Sequence, residues 1–111
     1  MRHTVSLTKN HEFRSLYARG KNTAGVYLAM YARRNRLGAT RLGITVSAKL
    51  GNAVTRNRVR RRVKEAYRLR EDSFAKGFDI VIVARGRAVG ADFTALGEEV
   101  TRLGRKLGVC V

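Results

Sequence analysis

One predicted helix carries dense positive charge, and this feature limits the possible functions of the sequence more than any other. Within residues 55–68, a single acid, Glu65, interrupts a run of arginines and lysine. At about 100° per residue around a helix axis, the apolar side chains share one arc and the cations share the opposite arc. Arginine presents a planar fork of donors that matches phosphate oxygens. The cationic arc therefore predicts a surface that binds a polyphosphate backbone.

The two arcs differ fully in chemistry. The apolar arc, which predicts packing on a core, holds Val59, Val63, Ala66 and Tyr67. The cationic arc holds Asn57, Arg60, Arg61, Lys64 and Arg68, flanked by Arg58 and Arg62.

The sequence offers no recognisable catalytic centre. It has no paired carboxylates, no Gly-Lys-Ser/Thr phosphate loop and no His/Cys/Asp cluster. His3 and His11 are isolated along the chain, and we expect both at the surface. Asp79 and Asp92 border predicted elements, where caps or surface positions are expected. We therefore predict a nucleic-acid-binding chain with no catalytic residue and no metal site of its own.

Composition supports the same interpretation. Lys and Arg total 24 against 8 Asp and Glu, a formal charge of +16 on 111 residues. Such an excess disfavours the compact state through self-repulsion, unless a polyanion neutralises it. The hydrophobic fraction of 44% predicts a folded core instead of a disordered basic tail. The length suits one domain, residues 1–111.

The N-terminal sequence and the single cysteine indicate the cellular compartment in which the protein is expected. Cys110 has no internal disulfide partner, which fits a reducing cytoplasm. No apolar stretch follows Met1, so no signal peptide is expected. A polybasic membrane-surface protein is an alternative, but the sequence lacks a lipidation motif and a long apolar run.

Hydrophobic periodicity predicts the elements that position the basic helix. Their order is helix, strands, basic helix, strand, helix, which indicates a single-domain α+β fold of the α/β sandwich type. The predicted ranges are a helix at 8–19 capped by Thr8, strands at 25–33 and 41–49, a basic helix from Asn52 to about Arg70 or Ser73, a strand at 79–84 buried on both faces, and a helix from Asp92 to near Gly108.

The predicted strand at 41–49 has one face that suits a groove for a nucleic-acid strand. Its apolar side chains, predicted to face inward, are Leu42, Ile44, Val46 and Ala48. The other face is small and polar, with cations at its ends that could hold phosphates: Gly43, Thr45 and Ser47, flanked by Arg41 and Lys49. On the first helix Phe13, Leu16 and Tyr17 share a face, and periodicity alone favours core packing for them.

The sequence closely resembles the bacterial ribonuclease P protein component. The resemblance rests on residues 43–58, Gly-Ile-Thr-Val-Ser-Ala-Lys-Leu-Gly-Asn-Ala-Val-Thr-Arg-Asn-Arg, and on residues 64–68, Lys-Glu-Ala-Tyr-Arg. It extends to the flanks through Leu7, Phe13, Gly20 and residues 79–84. In effect it covers the whole chain.

This resemblance implies a ribonucleoprotein enzyme that removes the 5′ leader from precursor tRNA. An RNA subunit would perform the hydrolysis with magnesium ions held by that RNA and the substrate. The protein, one per RNA, would bind the RNA subunit through the basic helix and the leader in a cleft between the first helix and the sheet. The resemblance also implies an uncommon left-handed crossover, whereas sequence rules alone predict a right-handed one.

Carried over by position, the resemblance implies two sets of binding residues. Those for the RNA subunit are Arg56, Asn57, Arg58, Arg60, Arg61, Lys64 and Arg68. Those for the precursor-tRNA leader are Phe13, Tyr17, Tyr31, Thr45, Ser47 and Lys49. Three other functions stay open on the residues alone: a ribosomal or ribosome-associated RNA-binding protein, a DNA-binding protein with the helix in a major groove, and a stand-alone nuclease.

Overall fold

A five-stranded mixed sheet organises the computed structural model, which describes residues 1–111. The strand order is β1-β4-β5-β3-β2. Strands β1, β4 and β5 run parallel, whereas β3 is antiparallel to β5 and β2 is antiparallel to β3. In chain order the elements are β1 (Thr4–Ser6), α1 (Asn10–Arg19), β2 (Lys21–Ala24), β3 (Leu28–Arg34), β4 (Thr40–Val46), α2 (Ala53–Arg68), β5 (Phe78–Ala84) and α3 (Phe93–Lys106). The predicted α+β fold is confirmed.

Helix α2 is the connection between two parallel neighbours. Because β4 and β5 run in the same direction side by side, the chain must return along the sheet between them, and α2 makes that return. This is the crossover to which the resemblance assigns a left-handed path. The arrangement fixes the basic helix against β4 and β5.

The main core lies between the sheet and the helices α2 and α3. The four apolar residues predicted to face the core from α2 are all buried, which confirms that half of the arc analysis: Val59, Val63, Ala66 and Tyr67. Leu96, Val100 and Leu103 meet them from α3, and all three are fully buried. The cationic arc of α2 is thereby turned away from the protein.

A second, smaller core lies on the opposite face of the sheet, beneath α1. It consists of Leu7, Leu16 and Val81. Its neighbours along β5, Ile80 and Ile82, belong to the main core. Strand β5 is therefore buried on both faces, as its continuous apolar run predicts.

Helix α1 starts two residues later than predicted, and Thr8 is not its N-cap. The N-cap is Lys9, which makes no side-chain capping bond. The backbone N–H of Leu7 donates to the Leu42 carbonyl oxygen at 2.9 Å. That bond continues the β1–β4 pairing and keeps the chain extended up to the start of the helix.

The predicted strand at 25–33 is instead the second arm of a hairpin. Leu28, Met30 and Ala32 are buried, but Val26 is half exposed in the turn between β2 and β3. The sequence analysis missed β2 because Lys21–Ala24 is an exposed edge strand without apolar alternation. It missed β1 because three residues are too few to show a period.

Strand β4 is shorter than predicted, and the basic helix ends earlier. Ser47 begins a turn of 3₁₀ helix, Ala48–Leu50, and its hydroxyl accepts a hydrogen bond from the Lys49 N–H at 3.2 Å. Ala48, predicted to face inward, is exposed. Ile44 is only partly buried.

Helix α2 ends at Arg68, because a 3₁₀ turn at Glu71–Ser73 replaces its predicted last turn.

A buried carboxylate holds the β2–β3 turn. Glu99 of α3 is 0% exposed. Its oxygens accept hydrogen bonds from the backbone N–H groups of Val26, Tyr27 and Leu28 at 3.0, 2.7 and 2.6 Å. Arg102 neutralises it at 2.7 Å. A buried charge is tolerated only with such partners, so Glu99 both requires and fixes the turn.

Replacing Glu99 should destabilise the fold. Glu99→Ala would leave three backbone donors without a partner, that of Leu28 buried and those of Val26 and Tyr27 partly buried, so we expect a loss of about 3 kcal/mol or more in the free energy of unfolding. Denaturant unfolding measures it. Glu98→Ala removes the same charge from an exposed neighbour and should change stability by less than about 0.5 kcal/mol. Equal stability of the two variants would show that the turn holds without the carboxylate.

Candidate nucleic-acid interface

Two residues fix the start of the basic helix. The Asn52 side chain accepts a hydrogen bond from the Thr55 N–H at 2.9 Å, so Asn52 is the N-cap, as predicted. Gly51 precedes it at φ +146°, in a region that side chains rarely adopt, and a Cβ there would lie 3.0 Å from the Thr55 side chain. The turn between β4 and α2 is therefore set by Gly51-Asn52.

The solvent-facing arc of α2 is exposed and strongly cationic. Its exposed polar residues are Asn57, Arg58, Arg61, Lys64 and Arg68. Val54, 77% exposed, stands beside them near the start of the helix. Nothing in the chain covers this arc, so its charge faces solvent or a partner.

One cation of this arc is already paired. Arg68 binds Glu65 through two hydrogen bonds at 2.6 and 2.7 Å. The hydrogen bonds from Arg68 lower the pKa of Glu65, although burial opposes that shift. Arg61 has no carboxylate partner. A phosphate group would therefore meet Arg61 directly but would compete with Glu65 for Arg68.

The two flanks of α2 face different neighbours. On one side the Arg62 guanidinium lies 5.9 Å from the centre of the Phe93 ring of α3. On the other side Arg56 is partly buried, and its Nε has no hydrogen-bond partner. Arg60 donates to the Asn57 side-chain oxygen at 3.0 Å. The seven residues predicted to bind the RNA subunit thus share one helix but not one environment.

Helix α1 and the sheet bring four predicted leader residues together. The Tyr17 hydroxyl is hydrogen-bonded to the Thr45 hydroxyl at 2.6 Å. The Tyr17 and Tyr31 rings meet edge to face, with centres 5.0 Å apart. Phe13 lies 6.5 Å from Tyr17, measured between ring centres. These residues form an aromatic cleft, the name used below for the space around Phe13, Tyr17, Tyr31 and Thr45.

The absence of a side chain at Gly43 makes room for Phe13. A Cβ at Gly43 would lie 2.5 Å from the Phe13 ring, so the ring rests directly on the β4 backbone. Phe13 also packs at the edge of the small core under α1 while remaining partly exposed. The sequence allowed two interpretations of Phe13, core packing and a place in the cleft. The ring does both.

Arg60 connects the basic helix to the aromatic cleft. One groove of about 420 Å³ runs between α1 and the end of β4, and Phe13, Tyr17, Thr45 and Arg60 line it. A second, of about 230 Å³, continues beside it and is lined by Phe13, Arg60 and Lys64 among others. Sequence analysis missed this connection, because Phe13 and Arg60 are distant along the chain. The one available signal was the position of Arg60 at the margin of the cationic arc.

Two other predicted leader residues lie outside the sheet face. Ser47 and Lys49 belong to the turn that follows β4, and both are exposed. The prediction that they continue the strand face is wrong, because the Ser47 cap ends the strand. Lys49 instead lies three residues before the N-cap of α2, next to the basic helix.

Arg41 is not free to hold a phosphate, contrary to the prediction. Its guanidinium is paired with Glu12 of α1 and with Asp79 of β5, the latter at 2.7 Å. The hydrogen bonds that Arg41 donates to Asp79 and Glu12 raise the pKa of Arg41 further, although burial works against them. Asp79, expected as a cap or surface residue, is a partly buried ion-pair partner. Asp92, by contrast, is the N-cap of α3, as expected.

His3 is not isolated as predicted, since it lies beside Glu71 and Asp72. Potential ligand atoms of the three residues lie within 4.8 Å of one another. The Glu71 oxygens accept hydrogen bonds from the backbone N–H groups of Arg2 and His3 at 3.0 and 3.3 Å, and Arg2 pairs with Asp72. Burial raises the pKa of Glu71, but the Thr4 hydroxyl and these two amides outweigh it and bring the value to about 2.

This cluster does not fit a magnesium ion. Magnesium requires an octahedral set of oxygen ligands, usually including waters. Here one of three candidate ligands is an imidazole, and the Glu71 oxygens are already occupied by backbone amides. The cluster instead ties β1 to the turn after α2.

Comparison with known proteins identifies the family. The family model described as ribonuclease P matches residues 1–108. The ribonuclease P protein component of Thermoanaerobacter sp. (strain X514) is 43% identical over 102 residues, which cover 92% of this chain and 88% of the relative. The chain belongs to the bacterial ribonuclease P protein component family. The relative from Clostridioides difficile (strain 630) is 41% identical over 109 residues, covering 97% and 96%.

Solved structures of ribonuclease P proteins share this fold. The protein from Staphylococcus aureus superimposes with a TM-score of 0.85 at 28% identity, covering 96% of this chain and 97% of that one. The protein from Thermotoga maritima gives 0.80 at 31% identity, covering 90% and 96%. Membership of the family makes this chain the protein part of a tRNA-processing ribonuclease. None of its helices has the length and apolar character needed to span a bilayer.

Filling the space at Gly43 should displace Phe13. Because β4 is paired with β5 on one side, the strand backbone is held, and Gly43→Ala must push the ring away from the sheet. We expect a loss of about 1–3 kcal/mol in stability, measured by thermal or denaturant unfolding.

Gly86→Ala is the matched control, since a Cβ there meets nothing within 4 Å. Adding Phe13→Leu to Gly43→Ala should recover part of the loss. A Gly43→Ala variant as stable as the control would mean that Phe13 does not rest on this glycine.

Proposed function

We propose that this chain binds the RNA subunit of ribonuclease P through the exposed arc of α2 and holds the 5′ leader of precursor tRNA in the aromatic cleft. The observation that carries the proposal is the placement of Arg60. It lies on the basic helix and also lines the groove with Phe13 and Tyr17. One continuous cationic path thus joins a surface suited to a folded RNA with a cleft suited to an unpaired strand.

The chemistry of α2 suits the backbone of a structured RNA. The exposed arc offers guanidinium and ammonium donors at successive helical turns, with only Glu65 as a local acid. Phosphate contacts of this kind supply affinity and orientation without reading sequence. Asn57, held by Arg60, adds an uncharged amide to this surface. The side chains that face the core are separate, so binding residues can be altered without disturbing the fold.

The chemistry of the cleft suits unpaired nucleotides. Its floor is small at Gly43 and Thr45, and its wall is aromatic at Phe13 and Tyr17. Bases of a single strand stack on such rings, each stack contributing roughly 1–3 kcal/mol. Tyr17 is 38% exposed, which leaves its ring accessible to a base. The 5′ leader is an unpaired strand of precursor tRNA, so it suits such a cleft.

Catalysis in this proposal belongs to the RNA subunit. Hydrolysis would use magnesium ions held by that RNA and the substrate, since most carboxylates of this chain are engaged in its own structure. Glu12 and Asp79 bind Arg41, and Glu99 binds a backbone turn. The protein would act by binding and orienting, one copy per RNA, in the cytoplasm.

Reconstitution with the RNA subunit tests the function. In dilute magnesium, the protein with the RNA subunit should cleave precursor tRNA at the mature 5′ end, and the protein freed of RNA should not cleave it. The holoenzyme should bind precursor tRNA more tightly than mature tRNA. Tyr17→Ala should reduce that preference by roughly 5- to 150-fold, the effect of one lost base stack.

Tyr17→Phe is the control, because it keeps the ring and removes only the hydrogen bond to Thr45. It should retain most of the preference for precursor tRNA. Cleavage by RNA-free protein would contradict the catalytic role of the RNA. A preference unchanged in Tyr17→Ala would place the leader elsewhere.

The salt dependence of RNA binding tests α2. Arg61→Gln should flatten the plot of log affinity for the RNA subunit against log salt by roughly 0.7–0.9 units, the effect of one lost phosphate contact. Arg68→Gln should have a smaller effect because Glu65 competes for that side chain. Arg36→Gln, in the exposed turn between β3 and β4, is a control of equal charge. A slope identical to wild type in Arg61→Gln would exclude this contact.

A further inference from the structure

Helix α1 lies along β4 with matched spacing. The Phe13 ring rests on Gly43, and the Tyr17 hydroxyl is hydrogen-bonded to the Thr45 hydroxyl. Four residues of a helix advance about 6 Å, and two residues of a strand advance about 7 Å. The two contacts therefore recur at the same interval on both elements, and the width of the aromatic cleft depends on where α1 lies over β4.

An ion pair continues this series of contacts beyond the aromatic cleft. Glu12, which precedes Phe13 on α1, is paired with Arg41, which lies two residues before Gly43 on β4. Neither Glu12 nor Arg41 lines the two grooves that meet at the cleft. A nucleotide that enters the cleft therefore does not displace this pair.

The sheet holds Arg41 from its other side. Arg41 and Asp79 are partners across the β4–β5 pairing, and the guanidinium donates two hydrogen bonds to the Asp79 carboxylate, at 2.8 and 2.7 Å. The Asn35 side chain donates a further hydrogen bond to Asp79 at 2.9 Å. The side chains of Arg41, Glu12 and Asp79 are 22%, 19% and 17% exposed, so solvent and salt screen this network less than an exposed pair. Arg41 is thus a fixed point to which Glu12 attaches α1.

Apolar packing fixes α1 less firmly than it fixes the other helices. The core beneath α1 consists of three buried residues, against 19 in the main core. Leu16 is the one buried residue of the helix itself. The N-cap, Lys9, makes no side-chain capping bond. The placement of the first turn of α1 therefore depends on the pair between Glu12 and Arg41.

Charge alone assigns the opposite effect to Glu12. A carboxylate near the aromatic cleft repels a phosphate backbone, so its removal should strengthen RNA binding if only charge matters. A positioning role predicts weaker binding of the leader, because the rings of α1 would lose their place over the sheet. The two interpretations of Glu12 thus differ in the sign of the effect.

We propose that Glu12, held by Arg41, is a positioning residue that keeps α1 at the distance from β4 at which its aromatic rings stack on leader bases. This rests on the proposed function, since it concerns the same aromatic cleft. The pair lies outside the cleft, so its effect reaches the leader only through Phe13 and Tyr17. Binding of mature tRNA, which has no leader, does not depend on the pair.

Two variants of Glu12 with the same loss of charge test the proposal in the reconstituted holoenzyme. Glu12→Ala removes the contact with Arg41, so the preference for precursor tRNA over mature tRNA should fall about tenfold, within the range of one lost base stack. The loss should appear as a higher KM for precursor tRNA at unchanged kcat. Glu12→Gln keeps an oxygen that can accept a hydrogen bond from Arg41, and it should retain most of the preference.

A control variant and a direct measurement of stacking separate positioning from charge and from folding. Glu98→Ala removes one acid from an exposed position of α3 and should leave the preference unchanged. A fluorescent base analogue in the leader reports stacking, because an aromatic ring in contact quenches it. The quenching should weaken in Glu12→Ala and persist in Glu12→Gln, at a temperature where denaturant unfolding shows both variants to be folded.

A double variant tests whether Glu12 acts through the ring of Tyr17. If it does, Glu12→Ala has less to disturb once the ring is gone, and the combined loss in Glu12→Ala/Tyr17→Ala should be smaller than the product of the two single losses. Fully multiplicative losses would show that Glu12 acts independently of the ring, contrary to the proposal.

The outcomes separate this proposal from the function on which it rests. If Tyr17→Ala loses the preference for precursor tRNA while Glu12→Ala keeps it, the cleft stands and the positioning role is wrong. If Glu12→Ala and Glu12→Gln both strengthen binding, or if Glu12→Ala weakens precursor and mature tRNA equally, the positioning role is also wrong. If the wild-type protein shows no preference for precursor tRNA, the cleft assignment itself fails.

Discussion

The burial of β5 on both faces is the constraint on which the rest of this structure depends. A strand with apolar side chains on both sides must be covered twice, so α2 and α3 pack on one face and α1 packs on the other. The basic helix and the aromatic cleft consequently lie on opposite sides of the sheet. They meet only around the β4 edge, where Arg60 extends past the strand to line the cleft. The central strand thus separates the two proposed binding surfaces of one small domain and also determines where they join.

The distribution of the eight acids explains how so cationic a chain folds while keeping its charge available. Six of them stabilise the protein away from the exposed arc of α2: Glu12 and Asp79 at Arg41, Glu71 and Asp72 at the N-terminal strand, Asp92 at the cap of α3, and Glu99 at the β2–β3 turn. Glu65 alone lies among the cations of α2, and Glu98 is exposed without a partner. Most carboxylates therefore accept hydrogen bonds from the backbone or neutralise a cation within the fold, and the proposed binding surfaces have almost none of them.

The long helices and strands could be predicted because their apolar residues recur with a clear period. The short strands could not, because they show no such period. The apolar arc of α2, its Asn52 cap and the doubly buried β5 follow directly from residue spacing, because burial imposes a period that the sequence must carry. Strands β1 and β2 carry no such period, since one is three residues long and the other is an exposed edge. The resemblance located the cleft residues Phe13, Tyr17, Tyr31 and Thr45, but the contacts that decide which cations are free are long-range. Neither the pairing of Arg41 with two distant carboxylates nor the approach of Arg60 to Phe13 leaves a local signal.

The brevity of β1 has a geometric consequence for access to the sheet. Its three residues pair only with Thr40, Arg41 and Leu42, so the second half of β4 forms the border of the sheet. After Ser6 the chain turns away through Leu7 into α1. If one or two more residues paired with β4, the N-terminal segment would extend across the space between α1 and α2 and would cover that space. The point at which this short, weakly patterned strand stops therefore leaves the groove between α1 and α2 open at the β4 border of the sheet.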